Sequence, residues 1–65
     1  MSNYNRKTML AVIDDYVVNP RYRDVLRLKY YEGMTHEQVA EATHYSTQHV
    51  KSICKSYKEL LISHL

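Results

Sequence analysis

Thr35-His36-Glu37-Gln38-Val39-Ala40-Glu41-Ala42-Thr43-His44-Tyr45-Ser46-Thr47-Gln48-His49-Val50-Lys51-Ser52-Ile53 is the stretch that decides the fold. Thr35 followed three positions later by Gln38 has the form of a capping box: the hydroxyl accepts from the Gln38 backbone and the glutamine side chain reaches back. A short helix over about 35–43 follows, with Val39, Ala40 and part of Thr43 facing inward. Tyr45 or Ser46 then opens a longer helix over about 46–63, in which Val50, Ile53, Cys54, Tyr57, Leu60 or Leu61, and Leu65 recur at helical spacing. A short capped helix, a tight turn and a longer helix make a helix-turn-helix unit. Where two such helices cross closely a small residue is needed, and Ala40 supplies it. Val50 and Ile53 pin the second helix from beneath, and Tyr45 fills the apolar position after the turn.

Upstream, Met9, Val12, Ile13, Tyr16 and Val17 recur at spacings of three and four and predict a first helix over about 5–18. Asn19-Pro20 breaks it, because the residue before proline is pushed out of the helical region and proline suits the first position of a new helix. Asn19 is the expected N-cap. The second helix, about 20–32, carries Tyr22, Val25, Leu26, Leu28 and Tyr30 or Tyr31 on a broad apolar face. Gly33 ends it in the left-handed conformation, with Met34 placed for the apolar contact that accompanies such a cap. The expected architecture is all-α: one four-helix domain over residues 1–65 containing a helix-turn-helix. Its expected core is Val12, Ile13, Tyr16, Val25, Leu28, Val39, Ala40, Val50, Ile53 and Tyr57.

Sixty-five residues, 45% of them hydrophobic, suffice for one small core and not for two. One Gly, one Pro and no Trp or Phe leave few turn punctuators and argue against an all-β chain. Cys54 has no partner for a disulfide, which points to a reducing compartment, and neither a signal peptide nor a membrane span of about 18 apolar residues is visible. A cytoplasmic protein with no membrane partner is expected. The net charge of +2 is uneven. Charges cancel over residues 1–20 and again over 21–45, whereas Lys51, Lys55 and Lys58 face only Glu59 in the last stretch. A basic final helix suits a polyanion, although a solvated helix face has the same composition.

With Val50 and Ile53 inward, the fourth helix presents Thr47, Gln48, Lys51, Ser52 and Lys55 outward, with His49 at the flank and Ser46 at the start. Glutamine can bond an adenine edge bidentately, Thr and Ser can reach bases or phosphates, and lysine can bind guanine edges or phosphate. Arg21, Arg23 and Arg27 of the second helix are candidates for DNA backbone contacts, and the first turn of the third helix for a phosphate.

The run Val25-Leu26-Arg27-Leu28-Lys29-Tyr30-Tyr31-Glu32-Gly33-Met34-Thr35-His36-Glu37-Gln38-Val39-Ala40, followed by Val50-Lys51-Ser52, resembles region 4 of the sigma-70 family over about residues 20–60. LuxR-type response domains share much of this pattern. The resemblance implies a prokaryotic or phage regulator that grips double-stranded DNA in the major groove. It further implies phosphate contacts near Thr35 and His36, and base reading by Thr47, Gln48, His49, Lys51 and Ser52. The chain departs from the family at Thr43, where an apolar residue is usual, and at His44, where the turn usually has glycine. Histidine tolerates the left-handed conformation better than most residues, at a cost. The regions with which a full sigma factor binds the polymerase core and melts the promoter have no counterpart, so a stand-alone regulator is expected.

The histidines His36, His44, His49 and His64, with Cys54, form no Cys-x-x-Cys or His-x-x-x-His pair, so no metal or other cofactor is expected. No nucleophile–base pair or Gly-rich phosphate loop suggests an enzyme. The competing reading is a protein-interaction module of helix-turn-helix shape that binds RNA polymerase or another regulator. Since one unit reads few base pairs, a homodimer is expected, joined through the first helix or the apolar run Leu60-Leu61-Ile62-Ser63-His64-Leu65.

Overall fold

A helix starts cleanly where a side chain replaces the bonds its first amides lack, and three such starts divide the chain. Asn19 Oδ1 accepts from the Arg21 N–H at 2.9 Å and from the Tyr22 N–H at 3.4 Å. Thr35 Oγ1 accepts from the Gln38 N–H at 3.1 Å while the Thr35 N–H donates to Gln38 Oε1 at 3.0 Å, the reciprocal box expected there. Ser46 Oγ accepts from the His49 N–H at 3.1 Å. In the computed structural model, which describes residues 6–64, these caps separate α1 (Arg6–Tyr16), α2 (Pro20–Leu26), α3 (His36–Thr43) and α4 (Thr47–Ser63). The fold is all-α, as expected, and no strand forms among the described residues. The expected start of the first helix at residue 5 lies outside the described residues.

The second helix departs from its expected course. After Leu26 the residues Arg27–Tyr31 widen into a π-helical turn, and the Glu32 N–H donates to the Arg27 carbonyl at 3.0 Å, five residues back instead of four. A wider turn holds more residues per revolution. Here it keeps Leu28 and Tyr30 against the core after Val25 and Leu26, both fully buried. Gly33, at φ 79°, closes this segment as anticipated. The Met34 N–H then returns to the Leu28 carbonyl at 3.1 Å, one residue further back than in a Schellman cap on an α-helix.

The core is a single cluster that every helix enters. Val12, Ile13 and Val17 come from α1 and its end, Val25 and Leu26 from α2, Val39 and Ala40 from α3, and Val50, Ile53, Cys54 and Leu61 from α4. Tyr16 corrects the expected core, being 47% exposed. Tyr16 and Val17 compete for one stripe of α1, and burying the phenol would require a partner for its hydroxyl, which valine does not. Val17 goes inward with its N–H on the Ile13 carbonyl at 3.0 Å. The Tyr16 ring instead stacks on His64, centroids 3.9 Å apart and planes 13° from parallel. Leu28 and Tyr57, also expected inside, are half-buried at the margin; the fully interior places go to Leu26 and Leu61. No helix among the described residues is long and apolar enough to cross a membrane.

Candidate nucleic-acid interface

The α3–α4 turn sets the angle of α4, and its geometry begins with the two residues that depart from the usual pattern. Thr43 is buried, yet its hydroxyl donates to the Val39 carbonyl at 2.7 Å, so the polar atom is satisfied inside the helix. His44 adopts the left-handed conformation at φ 64°, which glycine normally supplies. Ser46 then caps α4, and Val50 and Ile53 bury beneath it beside Ala40, whose small side chain lets α3 and α4 approach.

This arrangement turns Gln48, Lys51, Ser52 and Lys55 outward, all exposed along one side of α4, with Thr47 half-buried at its first position. His49 is exposed as well, but its ring is not isolated. It lies 4.5 Å from the Tyr45 ring at a 45° tilt and meets the Tyr22 ring edge-on at 6.3 Å. Ser46 and Thr35 lie at the starts of their helices with their hydroxyls accepting in caps. His36, half-buried, is the first residue of α3. First-turn amides such as those of His36 and Glu37 have no partner within a helix, the usual basis of anion binding at such ends.

The three arginines of the second helical segment are each engaged within the domain. Arg21 Nη2 donates to the Thr43 carbonyl at 2.6 Å, and its guanidinium lies over the Tyr45 ring, 4.8 Å from the centroid. Arg23 Nε donates to the Val17 carbonyl and closes the α1–α2 corner. Arg27 pairs with Asp24 at 2.8 Å on the surface; pairs this exposed contribute little to stability. Sequence reasoning missed the contacts of Arg21, Tyr22 and Tyr45, since no spacing rule links Arg21 to a carbonyl 22 positions away.

Burial pushes the Cys54 thiol up, against a smaller opposing pull from Lys29, and burial with a smaller contribution from Cys54 pushes the Tyr30 phenol up. A thiol so placed is a packing group and a poor nucleophile. Among the described residues no three His, Cys, Asp or Glu side chains gather as a metal site would require.

The family model of sigma-70, region 4, matches residues 17–56, more than half of the chain, from the end of α1 well into α4. No curated protein and no solved structure matches the chain.

Proposed function

The chain belongs to the sigma-70 region 4 family, a non-catalytic helix-turn-helix DNA-binding family, and on that premise we propose that it is a sequence-specific transcriptional regulator. The first half of α4 enters the major groove. The observation that carries this reading is the outward side of α4, where Gln48, Lys51, Ser52 and Lys55 are exposed together with no acidic residue among them. Thr47 and His49 flank that side and complete the reading surface. Gln48 suits an adenine edge, Lys51 a guanine edge, and Lys55 the phosphates. Thr35 and His36, at the start of α3, meet a phosphate, and Arg27, exposed beside Asp24, adds a backbone contact.

The protein works in the cytoplasm as a homodimer on a pseudo-palindromic site. Tyr16, Val18 and Ile62, exposed at 47%, 84% and 54%, are the apolar groups available for pairing at the ends of α1 and α4. The same exposed groups favour the second reading, a module that binds RNA polymerase or another regulator through this end of the domain.

Selection of bound duplexes from a random pool at low salt separates the two. A DNA reader enriches a short motif and its affinity falls steeply with salt. Lys51→Glu abolishes that binding, and Gln48→Ala relaxes the preference at one position by about 1–3 kcal/mol. A pool with no enrichment, bound alike by the parent and Lys51→Glu, would rule out the DNA reading in favour of the interaction module.

A further inference from the structure

We propose that Arg21 is a positioning residue for the reading helix and not itself a DNA ligand. It fastens the α3–α4 turn and, through Tyr45, fixes the ring that His49 presents to the groove. This inference rests on the assignment of α4 as the DNA-reading element.

The need for such a fastening follows from the turn. The last carbonyls of a helix lack partners and form the negative end of its dipole. A left-handed residue after the helix usually helps to close it, and His44 takes that conformation, but α3 has no basic residue in its own last turn. Arg21 supplies from α2 what α3 lacks, a charged donor at 2.6 Å from the Thr43 carbonyl, the strong class of hydrogen bond. The same guanidinium covers the Tyr45 ring at 4.8 Å. A carbonyl on one side and an aromatic face on the other hold a side chain that otherwise has many rotamers.

Tyr45 stands between the left-handed His44 and the cap Ser46, so its ring is set by the turn that Arg21 holds. That ring contacts His49 at 4.5 Å. From the other direction Tyr22, the neighbour of Arg21 on α2, meets His49 edge-on at 6.3 Å and Tyr57 at 6.1 Å. Two consecutive residues of α2 thus reach the turn and the first turn of α4 together. His49 is exposed yet held on an aromatic platform, which reduces the ordering needed when it meets a base or a phosphate.

A positioning residue and a phosphate ligand respond differently to mutation. We would measure binding of the full chain, and of its Arg21→Ala, Arg21→Lys and Tyr45→Leu variants, to a selected duplex and to a scrambled one across a salt series. Positioning predicts that Arg21→Ala and Tyr45→Leu each weaken the selected duplex by about tenfold, leave the scrambled duplex and the salt slope unchanged, and are not additive when combined. Arg21→Lys keeps the charge but neither the fork nor the stack, so it does not restore binding. If Arg21 contacts phosphate, both duplexes weaken alike, the slope falls by about one and lysine rescues; that result overturns the proposal. Resonances of the free protein supply a readout that needs no DNA. Arg21→Ala should shift the His49 ring and the amides of Thr47 and Gln48 while distant core resonances stay in place. If those signals do not move, the positioning role falls, whatever the chain binds. If they move while the parent selects no duplex, the linkage from Arg21 to His49 stands and the DNA assignment of α4 is what fails.

Discussion

Two helix ends in this domain close on left-handed residues, Gly33 at φ 79° and His44 at φ 64°, and they are held by opposite means. At the first, a Cβ added to Gly33 would meet nothing within 4 Å, so the demand for glycine lies in the backbone alone. The groups that complete this turn are its sequence neighbours: the Met34 N–H on the Leu28 carbonyl, and the Thr35–Gln38 box immediately after. The second turn has no glycine. It is held by Arg21 on the Thr43 carbonyl, by Tyr45 under that guanidinium, and by Val50 and Ile53 packed beneath α4. A turn with its own local chemistry forms wherever the chain goes, whereas a turn closed by remote groups takes its angle from the tertiary packing. The second kind precedes α4, the helix proposed to read DNA, so the pitch of that helix depends on α2.

The sharpest way to break this comparison is to remove the packing under one turn only. Val50 is fully buried, and Val50→Ala should cost about 2–3 kcal/mol in transfer and cavity terms, measured by urea denaturation. Amide exchange should quicken at His44 and Tyr45 and hardly change at Gly33 and Met34; equal quickening at both would show that the two turns are held alike. A matched pair of substitutions at the left-handed positions tests the backbone directly. Gly33→Ala should destabilise by about 1–2 kcal/mol, all of it conformational. His44→Gly should stabilise by about 0.5–1 kcal/mol, the steric relief being partly offset by the greater freedom of glycine in the unfolded chain. For a domain of this size each kcal/mol moves the thermal midpoint by about 4–8 °C, so both signs are readable by calorimetry. A loss of stability in His44→Gly would mean that the imidazole makes contacts of its own at the turn.

Sequence alone was sufficient wherever the deciding groups lie within one helical turn of each other. The Asn19 and Thr35 caps, the glycine stop and the inward places of Val39, Ala40, Val50 and Ile53 were all legible, because capping and amphipathic spacing act between residues two to four apart; the start of α4 was left open between Tyr45 and Ser46, and the structure gives the cap to Ser46. The exposed side of α4 followed from the same periodicity. Tertiary structure decided the rest. The choice of Val17 over Tyr16 for the core depends on what faces α1, and no local pattern announced the π-helical turn after Leu26 that sets Leu28 and Tyr30 against the core. The partners of Arg21 and Arg23, and the platform under His49, exist only once α2 is laid against α3 and α4. A hydrogen bond spanning 22 positions forms because packing brings its two ends together, and local sequence patterns, which register neighbours only, leave no trace of it.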